Sequence, residues 1–422
     1  MIKSAKIKGF LFIYDQLWRT CLPFLRLNNR ISEIYDQRSL IKYTLSKADL
    51  WIQAASAGES YLAVEIIKNL KPSRQTNALI TTNTIQGMEI LNSFLLSPAS
   101  NRKNLNVKTA YFPFDKPDII NKAVNAIQPK CVVLLETEIW PCLLLTLKSH
   151  GCKILIVNGR LTKKSLKRYL VWPSFWQNLK PHKIFAVSKH DSKRFSTLFC
   201  SEKVDLMPNI KFDRLSTFGI SKKNIRLDFL KKETPFLVLG SIREKEEKIL
   251  LKIIKTIIEK NPNIVVGLFP RHMHRIKQWN KVLNELTINI ILRSEIRGKV
   301  DPPTIILWDT FGELNLAYQW AHAAFVGGSL APLGGQNFLE PLTAGVVPVI
   351  GPSWENFSWI GNEIFNKKLA LKGNNWKEVA DLLLGKLNAP PSRKKIRQQT
   401  LLYVKNRQGG TDYACRQIVS CL

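Results

Sequence analysis

Acidic residues are scarce in this chain. Asp and Glu number 32 against 63 Lys and Arg, which leaves a formal charge of +31 over 422 residues. A field of that sign attracts a polyanion: nucleic acid, an anionic bilayer or a phosphorylated substrate. The seven cysteines form no C-x-x-C pair, show no zinc spacing and are odd in number. A disulfide-stapled scaffold is thereby excluded, and a reducing compartment is the simplest reading. No G-x-x-x-x-G-K-[ST] occurs, which excludes a P-loop ATPase, and no G-x-G-x-x-G follows a strand. The histidines make no H-E-x-x-H or similar metal-binding pattern. Gly327-Gly328-Ser329-Leu330-Ala331 lacks the helix that must follow a nucleophile elbow, which sets a hydrolase aside. Neither an aromatic-rich RNA-binding signature nor a DNA-binding motif accompanies the charge, so nucleic acid is the weaker choice of polyanion.

What is present is alternation. Short apolar runs at 50–54, 78–82, 107–112, 131–135, 154–158 and 183–187 are separated by helical patterns such as 61–70 and 118–127. A second series at 236–240, 264–269, 288–292, 304–308, 323–326 and 347–350 alternates with helices at 244–260, 313–320 and 338–344. Strand–helix alternation predicts an α/β protein with parallel sheets, here two Rossmann-like domains with a cleft between them. The polar, lysine-rich stretch 215–234 reads as the linker, with one domain over 41–214 and the other over 235–422. Residues 1–40 read as a membrane-associating segment. Apolar residues 9–25 follow Lys3, Lys6 and Lys8 but are interrupted by Asp15 and Arg19. That pattern suits a helix lying in the interface plane better than one that spans the bilayer, which needs about 20 apolar residues.

Ligands of open α/β sheets bind beyond the carboxyl ends of strands, so residues just after strands carry the chemistry. After the first strand, Gly58 permits a tight turn and Glu59 enters the first turn of a helix, where the dipole is expected to keep it ionised as a candidate base. Glu136 and Glu138 follow another strand, just before Pro141 at a helix start. Arg160, Lys163, Lys164, Lys167 and Arg168 fall at helical spacing and are expected to share one basic face for phosphates or lipid headgroups. Lys211 precedes the linker, where an ammonium suits a phosphate. In the second half, Pro270-Arg271 and Phe311-Gly312-Glu313 follow strands. The glycines from Gly327 to Gly335 would let backbone N–H groups approach an anion, and Asn337 and Glu340 start a helix with Phe338 and Leu339 between them.

Nine stretches in order, WIQAASAGES, YFPFDKP, LLETEIWP, NGRLTKKS, AVSKHDSKRF, NIKFD, FPRHMHR, DTFGELNLAY and FVGGSLAPLGGQNFLEP followed by GPSWENF, resemble the Kdo (3-deoxy-D-manno-octulosonic acid) transferase family. The resemblance implies a GT-B glycosyltransferase that inverts the anomeric carbon as it moves Kdo from CMP-Kdo to a lipid A precursor in lipopolysaccharide biosynthesis. It implies action at the cytoplasmic face of the inner membrane, with no metal or other cofactor. The N-terminal domain would receive the acceptor and the C-terminal domain CMP, with a final helix returning to the N-terminal domain. Glu59 matches the general base, Glu136 and Lys211 the stabilisers of the transition state. Pro270, Arg271, Phe311, Gly312, Glu313 and Asn337 through Glu340 match the CMP-binding segments, with Arg271 on phosphate and Glu340 on ribose. The chain departs from the usual pattern at Pro208, at Gln336 and at Ile242-Arg243, where Thr-His is common. A GT-B transferase using a UDP-sugar is the neighbouring reading, and a nucleic-acid-binding protein a distant one.

Overall fold

A computed structural model describes residues 5–422 except 201, 203, 216–227, 232 and 286–287. Most of the expected linker lies outside the described residues. The chain divides into two compact units, one comprising Met1–Leu215 with Arg407–Leu422, the other Ser216–Asn406.

In the first unit the strands are β1 (Leu50–Ala54), β2 (Thr76–Thr82), β3 (Leu105–Tyr111), β4 (Cys131–Leu135), β5 (Lys153–Gly159), β6 (Lys183–Ala186) and β7 (Val204–Leu206). They form one parallel sheet in the order β3-β2-β1-β4-β5-β6-β7. β1 and β4 are buried along their whole length, because helices cover both faces of a parallel sheet and leave no polar side. Alternate residues serve opposite cores: Trp51, Val132 and Leu134 join one cluster, Leu50, Ile52 and Val133 the other. The helices start where capping chemistry dictates. Ser56, Thr84 and Ser188 accept the N–H three residues on, and Pro117, Pro141 and Pro173 sit in first turns.

Two helices from the ends of the chain complete this unit. Helix Gly410–Val419 places Ala414, Cys415 and Ile418 in the core that helix Ala57–Asn69 also fills. Asp213 holds it by accepting from Gly409 N (2.7 Å), Thr411 N (2.6 Å) and the Thr411 hydroxyl (2.6 Å). Helix Ala5–Leu25 packs Phe10, Tyr14, Trp18 and Leu22 against the opposite core. The Tyr14 hydroxyl donates to buried Asp115 (3.1 Å). Asp115 also accepts from Cys142 N and Leu143 N, in the first turn of helix Pro141–Ser149. The outward stripe of the N-terminal helix exposes Phe12, Ile13, Leu17 and Phe24. Among the described residues no helix is long and apolar enough to cross a membrane.

The second unit repeats the plan with β8 (Phe236–Ile242), β9 (Val265–Pro270), β10 (Asn289–Leu292), β11 (Thr304–Leu307), β12 (Ala323–Val326), β13 (Pro348–Ile350) and β14 (Leu371–Lys372). The order is β10-β11-β9-β8-β12-β13-β14, all parallel. In each sheet the chain first fills one side of its first strand, with β11 inserted between β9 and β10 in the second sheet, and then returns to the other side. The reversals fall between β1 and β4 and between β8 and β12, and each opens a crevice beyond the strand ends.

Candidate active site

At the first reversal point the loops after β1 and β4 bring three carboxylates together. Glu59 sits in the first turn of helix Ala57–Asn69, and its carboxylate accepts from Ala55 N at 2.6 Å. Burial pushes its pKa up to about 7, and the negative charges of Glu138 and Glu136 push in the same direction. The sequence expectation that the helix dipole keeps Glu59 ionised is corrected here, since desolvation and like charge outweigh a dipole worth at most ~1–2 kcal/mol. A carboxyl near pH 7 is well matched to taking a proton from a sugar hydroxyl.

Glu136 follows β4 with φ +54°, a left-handed conformation that is strained for a residue with a β-carbon. Its carboxylate accepts from Lys211 Nζ at 2.5 Å, with Arg160 Nη1 3.8 Å away. Lys211 is aimed by its neighbours: Asn209 Oδ1 accepts the Lys211 N–H (3.0 Å), and buried Asn158 accepts from Ile210 N (3.0 Å). Glu138 accepts from the Trp140 indole at 2.8 Å and from Gln53 at 3.5 Å, and burial raises its pKa. Gln53 also donates to Asn83 (3.1 Å). Site residues left out of the sequence analysis are therefore Gln53 and Asn83. The one available signal was a glutamine inside an otherwise apolar strand.

The basic face forms only in part. Helix Lys163–Tyr169 starts after its Thr162 cap and exposes Lys163, Lys164, Lys167 and Arg168. Arg160 is not among them. It precedes the cap, so helical phase does not apply to it, and its side chain turns in towards Glu136.

In the second unit the polar residues again gather after strands. Arg271 follows β9 and is exposed. Glu340 accepts from Asn337 Nδ2 at 3.0 Å. Its pKa is raised by burial, against the opposing hydrogen bond from Asn337 and the nearby Arg271 charge. Phe311 is 82% exposed beside Gly312 at φ +85°. Glu313 is otherwise engaged: Arg293 donates to it twice (2.9 and 3.2 Å), and Trp308 Nε1 (2.8 Å) and Thr310 (3.1 Å) complete its shell. Phe338 and Leu339 are buried, Phe338 among Trp354, Phe357 and Phe365, so their side chains shape the loop from beneath.

The glycine loop after β12 differs most from expectation. Glu246, fully buried, accepts from Gly328 N (2.5 Å), Ser329 N and Leu330 N (both 2.8 Å). Its Oε2 also takes the Arg243 N–H (3.2 Å). The backbone donors expected to approach a ligand anion are thus held by the protein's own carboxylate. In sequence Glu246 looks like any acid at a helix start. Among the described residues no cluster of three or more His, Cys, Asp or Glu is arranged to hold a metal ion.

Two parallel-sheet units, each with a polar cluster beyond the strand ends at its reversal point, have the GT-B fold of two-domain glycosyltransferases. A solved glycosyltransferase from Rickettsia africae shares that fold, with a TM-score of 0.55 at 11% identity over 89% of this chain and 99% of its own. The profile of the family described as 3-deoxy-D-manno-octulosonic-acid transferase (kdotransferase) matches residues 26–214. A 3-deoxy-D-manno-octulosonic acid transferase of Haemophilus influenzae is 29% identical over 91% of this chain and 92% of its own. A bifunctional glycosyltransferase/methyltransferase of Fusobacterium nucleatum is 30% identical over 84% of this chain, which spans 55% of that longer protein. Over these stretches the chain is similar to Kdo transferases.

Proposed function

We propose that the protein transfers Kdo from CMP-Kdo to a hydroxyl of a lipid A precursor, inverting the anomeric carbon. The observation that carries this reading is Glu59, a carboxyl poised near pH 7 beside the Glu136–Lys211 pair. Glu59 takes the proton of the attacking hydroxyl. Lys211 offers an ammonium to the phosphate that departs with CMP, and Glu136 keeps that ammonium in place. In the second unit Arg271 holds the phosphate, Asn337 and Glu340 the ribose diol, and exposed Phe311 offers a ring face to the base. The charge needed for leaving-group departure comes from side chains, so the proposal calls on no metal.

Acceptor delivery is part of the same proposal. The outward apolar stripe of helix Ala5–Leu25 and the exposed cations Lys163, Lys164, Lys167 and Arg168 suit an anionic bilayer surface. The wider field of +31 favours the same partner.

The test is direct. Incubation of the full chain with a lipid A precursor and CMP-Kdo generated in place should add the mass of one or more Kdo groups to the lipid. An unchanged lipid mass, together with stronger thermal stabilisation by UDP than by CMP, would replace this reading with a UDP-sugar transferase.

A further inference from the structure

Open α/β folds usually hold a ligand's anion on backbone N–H groups at the reversal point of the sheet. Here that position is closed, because Glu246 takes the N–H groups of Gly328, Ser329 and Leu330. Nor can Gly327 yield room for a different loop path. A β-carbon there would lie 2.6 Å from Ser241 O and 2.9 Å from Ile242 Cα, so the ends of β8 and β12 are in backbone contact. An anion arriving at this crevice also meets the field of a buried carboxylate, and side-chain cations must supply the attraction.

Most nearby arginines are already committed. Arg275 is bound to Glu244 (3.0 Å) and Glu247 (2.6 Å), and Arg293 to Glu313. Arg243 and Arg271 are different. They follow neighbouring parallel strands at the same level: Ile242 pairs with Pro270, and Arg271 N donates to Ile242 O at 2.8 Å. Among the described residues no carboxylate forms an ion pair with either. Burial first, and then the charges of Arg243, His274 and Arg271, lower the pKa of His272.

A donor made of a sugar acid joined to a nucleoside monophosphate carries two negative groups close together, the phosphodiester and the sugar carboxylate. Arg271 lies in the field of Glu340, on the nucleotide side. Arg243 stands one strand further along, at the position where this chain departs from the family's usual Thr-His. Resting on the function proposed above, we propose that Arg243 is a donor-binding residue whose guanidinium grips the carboxylate of the transferred sugar acid while Arg271 holds the phosphate. The planar fork of arginine matches a carboxylate in two parallel bonds, which a histidine cannot supply.

CMP has the phosphate and lacks the carboxylate, so it separates the two roles. In the full chain, Arg243→Gln should raise KM for CMP-Kdo by about 10- to 100-fold, the usual worth of hydrogen bonds to a charged group. The inhibition constant of CMP should stay within about 3-fold of wild type, and Arg243→Lys should recover part of the lost affinity, as a point charge does. An unchanged thermal midpoint checks that the variants fold. A parallel rise in both constants would assign Arg243 to the phosphate and overturn the proposal, as would no change in either. Failure of the parent reading shows elsewhere: the wild-type protein would then turn over no CMP-Kdo.

Discussion

Replacing Glu59 with Gln should make the protein more stable at the pH where it abolishes transfer. From the ordinary 4.5 to about 7 is about 2.5 decades, or about 3.4 kcal/mol at about 1.36 kcal/mol each. Solvent at the partly exposed carboxyl screens some of this, leaving about 2 kcal/mol. The sign follows from proton counting. Between about pH 4.5 and 7 the folded chain keeps a proton on Glu59 that the unfolded chain has released, so stability is lost as pH rises through that window and the full cost stands above it. Glutamine resembles the protonated acid and still accepts from Ala55 N. Urea unfolding at about pH 4 should therefore find variant and wild type nearly alike, and at about pH 8 the variant about 2 kcal/mol more stable. Transfer should fall by about 10²–10⁴-fold when the base is removed. The reasoning is refuted by an equal stability difference at both pH values, or by turnover that survives the substitution.

Glu138→Gln removes a negative charge that raises the pKa of Glu59, so the acid limb of the kcat/KM profile should move to lower pH. Lys211→Met leaves the Glu136 carboxylate without its 2.5 Å partner, and single-turnover kinetics should show kcat down about 10²-fold with KM for the acceptor nearly unchanged. Asp213→Ala should cost about 2–3 kcal/mol, because three donors around Gly409 and Thr411 lose one charged acceptor, and amide exchange in helix Gly410–Val419 should quicken accordingly. Phe311→Ala should leave the thermal midpoint in place, since the ring is 82% exposed, yet weaken CMP by about 1–3 kcal/mol in calorimetry if the ring stacks on the base.

Much of the architecture was legible because parallel strands buried on both faces advertise themselves as short apolar runs, and twelve such runs fall on β1–β6 and β8–β13. The sequence concealed β7 and β14. With three and two residues at sheet edges they carry too little burial to leave a pattern. The positions of Glu59 and Glu136 could be read because each follows a strand, and that of Lys211 only from its place before the linker and from the family resemblance. Their electrostatics could not, since the pKa of Glu59 depends on two acids 77 and 79 residues away in the chain. Two side chains expected to meet ligand proved to be internal ties. Glu313 binds Arg293, and Arg160 turns to Glu136, and neither partner is near in sequence. Glu246 was invisible for the same reason: its three backbone donors lie more than 80 positions downstream.

The second unit is one uninterrupted insertion in the chain of the first, between Leu215 and Arg407. This fixes an order of events at the ribosome. The inserted unit has all its strands before Arg407 emerges and can close its core while synthesis continues. The first unit, although begun earlier, lacks Ala414, Cys415 and Ile418 until the whole of the second unit has been made. Its exposed apolar face on helix Ala57–Asn69 must wait, shielded or at risk of aggregation, for the whole of the later domain to be made. A stop codon placed just after Arg407 would therefore damage the unit in which Glu59 was translated long before.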